Sequence, residues 1–274
     1  MKNYILRIST TMFLILILIA CNKDETNESL TDAIDLDEAN FTAKVDTATE
    51  VLSDTFLQVY ESEENLAKSP VHPYLPDCAT IIVEITNASK EVTIDFGSEG
   101  CDVRGHLIKG KLNMSYVASF EAETLVINYD LEDFFIDDIQ FSGSKTVTRQ
   151  KMNDNGNPQY TMELDLNITF EDGTVASRKG TKTREWIEGA LNGNWGDNVF
   201  LISGSWETNF VNGNTHSTTI ITPLRREASC RFLVSGVVDL VRTNYTGTLN
   251  YGDGMCDNIA LFINEEGEER EIKL

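Results

Sequence analysis

The feature that most constrains this chain is a two-residue alternation. Met162, Leu164, Leu166, Ile168 and Phe170 take every second position, with Glu163, Asp165, Asn167 and Thr169 between them. Successive strand side chains point to opposite faces, so this run predicts a strand with one buried and one solvated face. Runs rich in β-branched and aromatic residues recur at 80–86, 125–129, 199–203, 215–222, 232–241 and 245–251. Asn155-Gly156, Asp172-Gly173, Asn192-Gly193, Asn212-Gly213 and Asp253-Gly254 supply the chemistry of tight hairpin turns. Turn signals at such short spacing imply an antiparallel meander. An all-β domain over 77–274 follows, built as a two-layer sandwich or one long twisted sheet.

The residues before it read differently. Val45, Ala48, Leu52, Phe56 and Val59 share one helical face, which predicts an amphipathic helix over 39–66, capped at Asn40 or Thr42. Pro70, Pro73 and Pro76 mark 67–76 as a linker. Residues 21–38 are acidic and poor in large apolar side chains, the composition of a solvated, unstructured tether.

At the start, Lys2 and Arg7 precede an unbroken apolar run from Met12 to Ala20. That run spans roughly 13 Å as a helix, against about 30 Å for a bilayer core, so it suits a secretion signal better than a membrane span. It ends in Leu18, Ile19, Ala20 and Cys21, which resembles the bacterial lipobox. Residues 1–20 then form a lipoprotein signal peptide, and Cys21 carries the lipid that anchors the mature chain to a membrane. Lys23, Asp24 and Glu25 resemble the export signal that sends Bacteroidetes lipoproteins to the exterior of the outer membrane. The resemblance implies a cell-surface location, with the periplasmic face as the alternative.

The whole chain carries 22 Lys plus Arg against 44 Asp plus Glu, a net charge of −22. Such a balance argues against nucleic acid as a partner, because phosphate binding needs cations. The three His lie far apart, without HExxH or paired CxxC motifs, and no Gly-x-Gly-x-x-Gly fingerprint or GxSxG elbow occurs. No metal site, cofactor or catalytic residue is expected.

Cys78, Cys101, Cys230 and Cys256 form an even set, consistent with disulfides in an exported chain. Residues 93–97 (Thr-Ile-Asp-Phe-Gly) lead into Gly100 and Cys101, and 248–252 (Thr-Leu-Asn-Tyr-Gly) lead into Gly254 and Cys256. The echo favours a duplicated hairpin unit with local pairs, Cys78 to Cys101 and Cys230 to Cys256. Pairing Cys78 with Cys256 would instead make the first and last strands neighbours. These segments, with 110–112 (Gly-Lys-Leu), 143–147 (Gly-Ser-Lys-Thr-Val), 183–187 (Thr-Arg-Glu-Trp-Ile), 221–224 (Ile-Thr-Pro-Leu), 234–238 (Val-Ser-Gly-Val-Val) and 251–257 (Tyr-Gly-Asp-Gly-Met-Cys-Asp), resemble a family of Bacteroidetes surface lipoproteins of unassigned activity. The resemblance covers about residues 78–274 and implies a Cys-containing β domain, with no catalytic residues carried over.

Four further groups bear on function. Asp130, Glu132, Asp133, Asp137 and Asp138 concentrate carboxylates, as a glycosidase pair would, or as a charged edge would. The run 153–157 (Asn-Asp-Asn-Gly-Asn) has Lys151 and Met162 where an EF-hand needs acids. Trp195 lies in an Asn/Gly-rich loop and is expected to be exposed for ligand contact, whereas Trp186 and Trp206 are expected in the core. Thr47, between Asp46 and Ala48, resembles a Bacteroidetes O-glycosylation site. The chain reads as a non-enzymatic lipoprotein with a binding or structural role, the alternative being a glycan-binding or glycan-processing accessory.

Overall fold

The computed structural model describes the backbone of residues 25–65, 75–86, 89–117, 122–242 and 246–274, and within the helix the side chains of 39–63. The signal segment, Cys21, Lys23, Asp24, His72 and most of the Pro-rich linker lie outside the described residues. The chain divides at Asp35 into two units, the second being Leu36–Leu274.

Helix α1 runs from Glu25 to Asn65. It thus starts inside the stretch expected to be an unstructured tether, and Asn40 and Thr42 are interior helical residues, not caps. The reason is local: no Gly or Pro occurs between Glu25 and Asn65 to break the helix.

Fourteen strands follow among the described residues. They are β1 (Thr80–Ile85), β2 (Lys90–Asp95), β3 (Cys101–Val103), β4 (His106–Tyr116), β5 (Thr124–Ile136), β6 (Ile139–Gln150) and β7 (Gln159–Thr169). The second half comprises β8 (Val175–Glu188), β9 (Val199–Phe210), β10 (Thr215–Glu227), β11 (Leu233–Arg242), β12 (Thr246–Asp253), β13 (Ile259–Asn264) and β14 (Glu269–Lys273). All belong to one antiparallel sheet in chain order, except that β3 pairs only with β4, beside β2. The alternative of a two-layer sandwich therefore gives way to one long open sheet. In β7 the alternation behaves as the sequence requires: Tyr160, Met162, Leu164, Leu166 and Ile168 are buried, while Glu163, Asp165 and Asn167 are exposed.

That sheet curls around the helix. Phe56 of α1 packs against Tyr129 on β5, Asp54 meets Arg226 on β10, and Asp46 accepts a hydrogen bond from Tyr251 on β12. Glu63, further along, pairs with Lys90 on β2. Elements spread across the sheet can all reach one helix only if the sheet wraps it. Accordingly α1 is buried on nearly every face between Phe41 and Glu61, with Lys44 the exposed exception. Bulges at Gly110, between Asp130 and Phe134, and between Thr219 and Leu224 bend the strands enough to permit this.

Both cysteine pairs are local. The Cα atoms of Cys78 and Cys101 lie 5.9 Å apart, and those of Cys230 and Cys256 lie 5.7 Å apart, both at disulfide distance. Each bridge closes the open end of a hairpin: β1 with β2 in one case, β11 with β12 in the other.

Candidate functional site

Two groupings of polar side chains organise the body. The first is an ionic spine between helix and sheet. Asp46, Glu50 and Asp54 recur every four residues, so they form one stripe, roughly opposite the apolar stripe of Val45, Leu52 and Phe56. On β8, Arg178, Lys182 and Arg184 stand at even spacing and therefore share the inward face. Arg178 Nη1 lies 2.7 Å from Asp46 Oδ1, Lys182 Nζ 3.1 Å from Glu50 Oε1, and Arg184 Nη2 2.6 Å from Asp54 Oδ1. Lys182 Nζ also sits 4.4 Å from the centre of the Trp206 ring. Burial pushes the carboxyl of Asp54 up, but the Arg226 and Arg184 guanidiniums outweigh it and hold Asp54 below the usual carboxylate range.

The second grouping surrounds a cavity of about 390 Å³ between α1 and the turns at one end of the sheet. Arg104 and Gly105, both at positive φ, form the tight turn from β3 to β4 and so place His106 at the start of β4. Asp137, also left-handed, turns β5 into β6 and lays its carboxylate across β4. Its Oδ1 accepts from the Leu107 amide at 3.0 Å, and its Oδ2 lies 2.8 Å from His106 Nδ1. Arg231 Nε donates to His106 Nε2 at 3.2 Å. An acceptor at Nε2 fixes the neutral tautomer, with the proton on Nδ1 directed at Asp137. Burial raises the Asp137 carboxyl, but the hydrogen bonds from His106 and Leu107 prevail and hold it below its usual range.

Arg231 is itself positioned by the spine. Arg226 Nη1 donates to the carbonyls of Cys230 at 2.8 Å and Phe232 at 3.1 Å, on either side of it. The Asp54 carboxylate that fixes Arg226 therefore also steadies one wall of the cavity.

Trp195, expected to be exposed, is 4% exposed and packs against Trp186 and Phe200. Asn194 caps the 3₁₀ turn Trp195–Asp197, and that turn folds the indole into the core. Trp186 and Trp206 are buried, as expected. Asp130 and Glu132 are exposed on the outer face, Glu132 beside Lys111, and do not face each other across a cleft. Asp137 alone of that carboxylate cluster meets a histidine. The 153–157 turn satisfies its own polar groups: Asn153 Oδ1 accepts from the Asn155 and Asn157 amides, and both side-chain amides donate to Glu185. Thr47, 5% exposed, faces the cavity, away from any glycosyl-transferring enzyme at the surface. Among the described residues no cluster of His, Cys, Asp or Glu suits a metal ion.

Neither the spine nor the cavity is evident in the sequence, because His106 and Asp137 are 31 residues apart and His106 and Arg231 are 125 apart. In comparison with known proteins the chain matches no family model, no curated relative and no solved structure.

Proposed function

We propose that this chain is a lipid-anchored lipoprotein of the outer membrane, facing the cell exterior, whose β body binds a small ligand and performs no covalent chemistry. The anchor rests on Cys21 at the border of the apolar run, and the outward address on Lys23, Asp24 and Glu25. Support from the body comes from its outward strand faces, which carry Glu163, Asp165 and Asn167 where a lipid-facing strand would carry apolar residues. The observation that carries the binding role is the occupancy of His106. Its Nε2, the atom a general base would present to a substrate, already accepts from Arg231, so this histidine fixes a cavity wall instead of serving as a base. With Trp195 buried, the glycan-accessory alternative loses the exposed aromatic on which it relied.

The test is localisation. Cys21→Ser should abolish labelling of the chain by a fatty-acid probe in cells. Replacing Lys23, Asp24 and Glu25 together by Ala should leave a labelled protein that protease cannot shave from intact cells. Equal shaving of the triple variant and the parent would reject surface export, and retained label in Cys21→Ser would reject the anchor.

A further inference from the structure

The cavity between α1 and the sheet turns is lined by opposite charges in one small volume. Lys44 and Arg231 contribute cations, while Asp138, Glu171 and Asp172 contribute carboxylates. The Asp137 oxygens are already taken up by His106 and the Leu107 amide, and Oδ2 lies 3.8 Å from Arg231 Nη2. Phe170, Ile139 and Phe232 supply apolar walls. Its volume falls in the ordinary range for small-molecule sites, roughly 300–1,000 Å³.

One hydroxyl on the cavity wall differs from its helical neighbours. Helical Thr and Ser hydroxyls ordinarily bond back to the preceding turn, and in α1 three neighbours do so: Thr49 to the Asp46 carbonyl, Ser53 to Thr49 and Thr55 to Val51. Thr47 differs. It lines the cavity, and its Oγ1 is buried with no hydrogen-bond partner among the described residues. A buried hydroxyl left unsatisfied is destabilising, and a valine of the same shape would avoid that penalty. Retaining a hydroxyl here makes physical sense if something in the cavity bonds to it.

We propose that the cavity binds a small zwitterion, a free amino acid or short peptide with an apolar or aromatic side chain. Its carboxylate pairs with Lys44 and Arg231 and accepts from Thr47. Its ammonium is held by Asp138 and Glu171, and its side chain packs on Phe170, Ile139 and Phe232. A purely anionic ligand would meet Asp138 and Glu171, and a purely cationic one would meet Lys44 and Arg231, so the lining favours a ligand with both charges. This inference rests on the binding role proposed above and is independent of where the protein is anchored.

Isothermal titration calorimetry on the mature chain tests it, with L-phenylalanine and the dipeptide Phe-Leu as probes. Comparison ligands are N-acetylphenylalanine, which lacks the ammonium, phenylalaninamide, which lacks the carboxylate, and glucuronate, an anionic sugar. Saturable binding of a zwitterion, weakened at least tenfold by either blocking group, is the expected result. Thr47→Val should weaken it about fivefold while leaving the unliganded protein at least as resistant to thermal unfolding, which separates loss of a ligand contact from loss of the fold. Glucuronate binding in preference to the zwitterions, equal affinity for the blocked compounds, or no saturable binding to any probe would overturn the assignment. Such failures leave the localisation test untouched, so the two readings fail separately.

Discussion

Asp54 on α1 and Arg226 on β10 are 172 residues apart in the chain and meet through Nε and Nη2 at 2.9 and 2.8 Å from the same Oδ2. Arg184 occupies the other oxygen from β8, so one helical carboxylate bridges two strands that flank β9. All three side chains are buried. Removing one partner of a buried pair strands the others in low dielectric and costs about 3–5 kcal/mol. Asp54→Asn should therefore lower the thermal midpoint by roughly 10 °C, at about 2–4 °C per kcal/mol for a body of this size.

The same residue predicts a pH response. Because Asp54 is held below its unfolded value of 3.8, its contribution is complete above that value and disappears as pH falls through the lower folded one. Acid unfolding of the parent should be steeper below pH 3.8 than that of Asp54→Asn. Superimposable acid limbs would show that Asp54 is not the group being titrated.

Lys145 presents the opposite sign. Its ammonium is 2% exposed and without a hydrogen-bond partner among the described residues. Burial, reinforced by Lys182 and opposed by Glu50, lowers it to about 7 from 10.5. The unfolded chain then binds more protons between those values, so this group destabilises the fold most at pH 7 and below, and not at all above pH 10.5. Lys145→Met should raise stability at neutral pH by several kcal/mol, on the order of 3–5. The gain should shrink as pH rises towards 10, as urea unfolding across that range would report; a constant gain would point to packing instead of charge.

The two cysteine pairs have sequence separations of 23 and 26 residues, so each closes a loop whose loss costs about 3–4 kcal/mol in the chain-entropy model. They should differ in consequence. Cys230 neighbours Arg231, a wall of the cavity, whereas Cys78 precedes the outermost strand. Replacing Cys230 and Cys256 by Ser should weaken ligand binding as well as stability, whereas replacing Cys78 and Cys101, which reach the cavity only through the β3–β4 turn at His106, should weaken binding less. Urea unfolding paired with the calorimetric titration distinguishes them.

How much of this was legible depended on range. Period-two runs such as Met162 to Phe170 and dipeptides such as Asn155-Gly156 act locally, and they yielded the meander. The two cysteine pairs were visible because each joins neighbouring turns. The ionic spine was not. Arg178, Lys182 and Arg184 sit at inward positions of β8, where alternation leads one to expect apolar residues, and their partners are more than a hundred residues upstream. Read alone, Asp46, Glu50 and Asp54 look like a solvated helix face. Trp195 misled for a related reason: an Asn/Gly-rich loop normally faces water, but a capped 3₁₀ turn returned its indole to the core.

The curl that creates the interior depends on glycines inside strands. Gly204 in the middle of β9 has φ +132°, and a Cβ there would lie 2.1 Å from the Thr181 carbonyl oxygen on β8. That oxygen belongs to a paired strand and cannot withdraw without breaking the ladder. Gly213, in the turn between β9 and β10, is also left-handed at φ +91°, yet a Cβ there meets nothing within 4 Å. The pair separates two roles of glycine, conformational freedom and close approach. Gly213→Ala should cost only the left-handed penalty, about 1–2 kcal/mol. Gly204→Ala should add a backbone clash and cost at least about 3 kcal/mol. Urea unfolding of both variants measures the difference. Equal losses would mean that β8 and β9 can separate locally without disturbing the sheet, and that close strand approach at Gly204 does not hold the curl around α1.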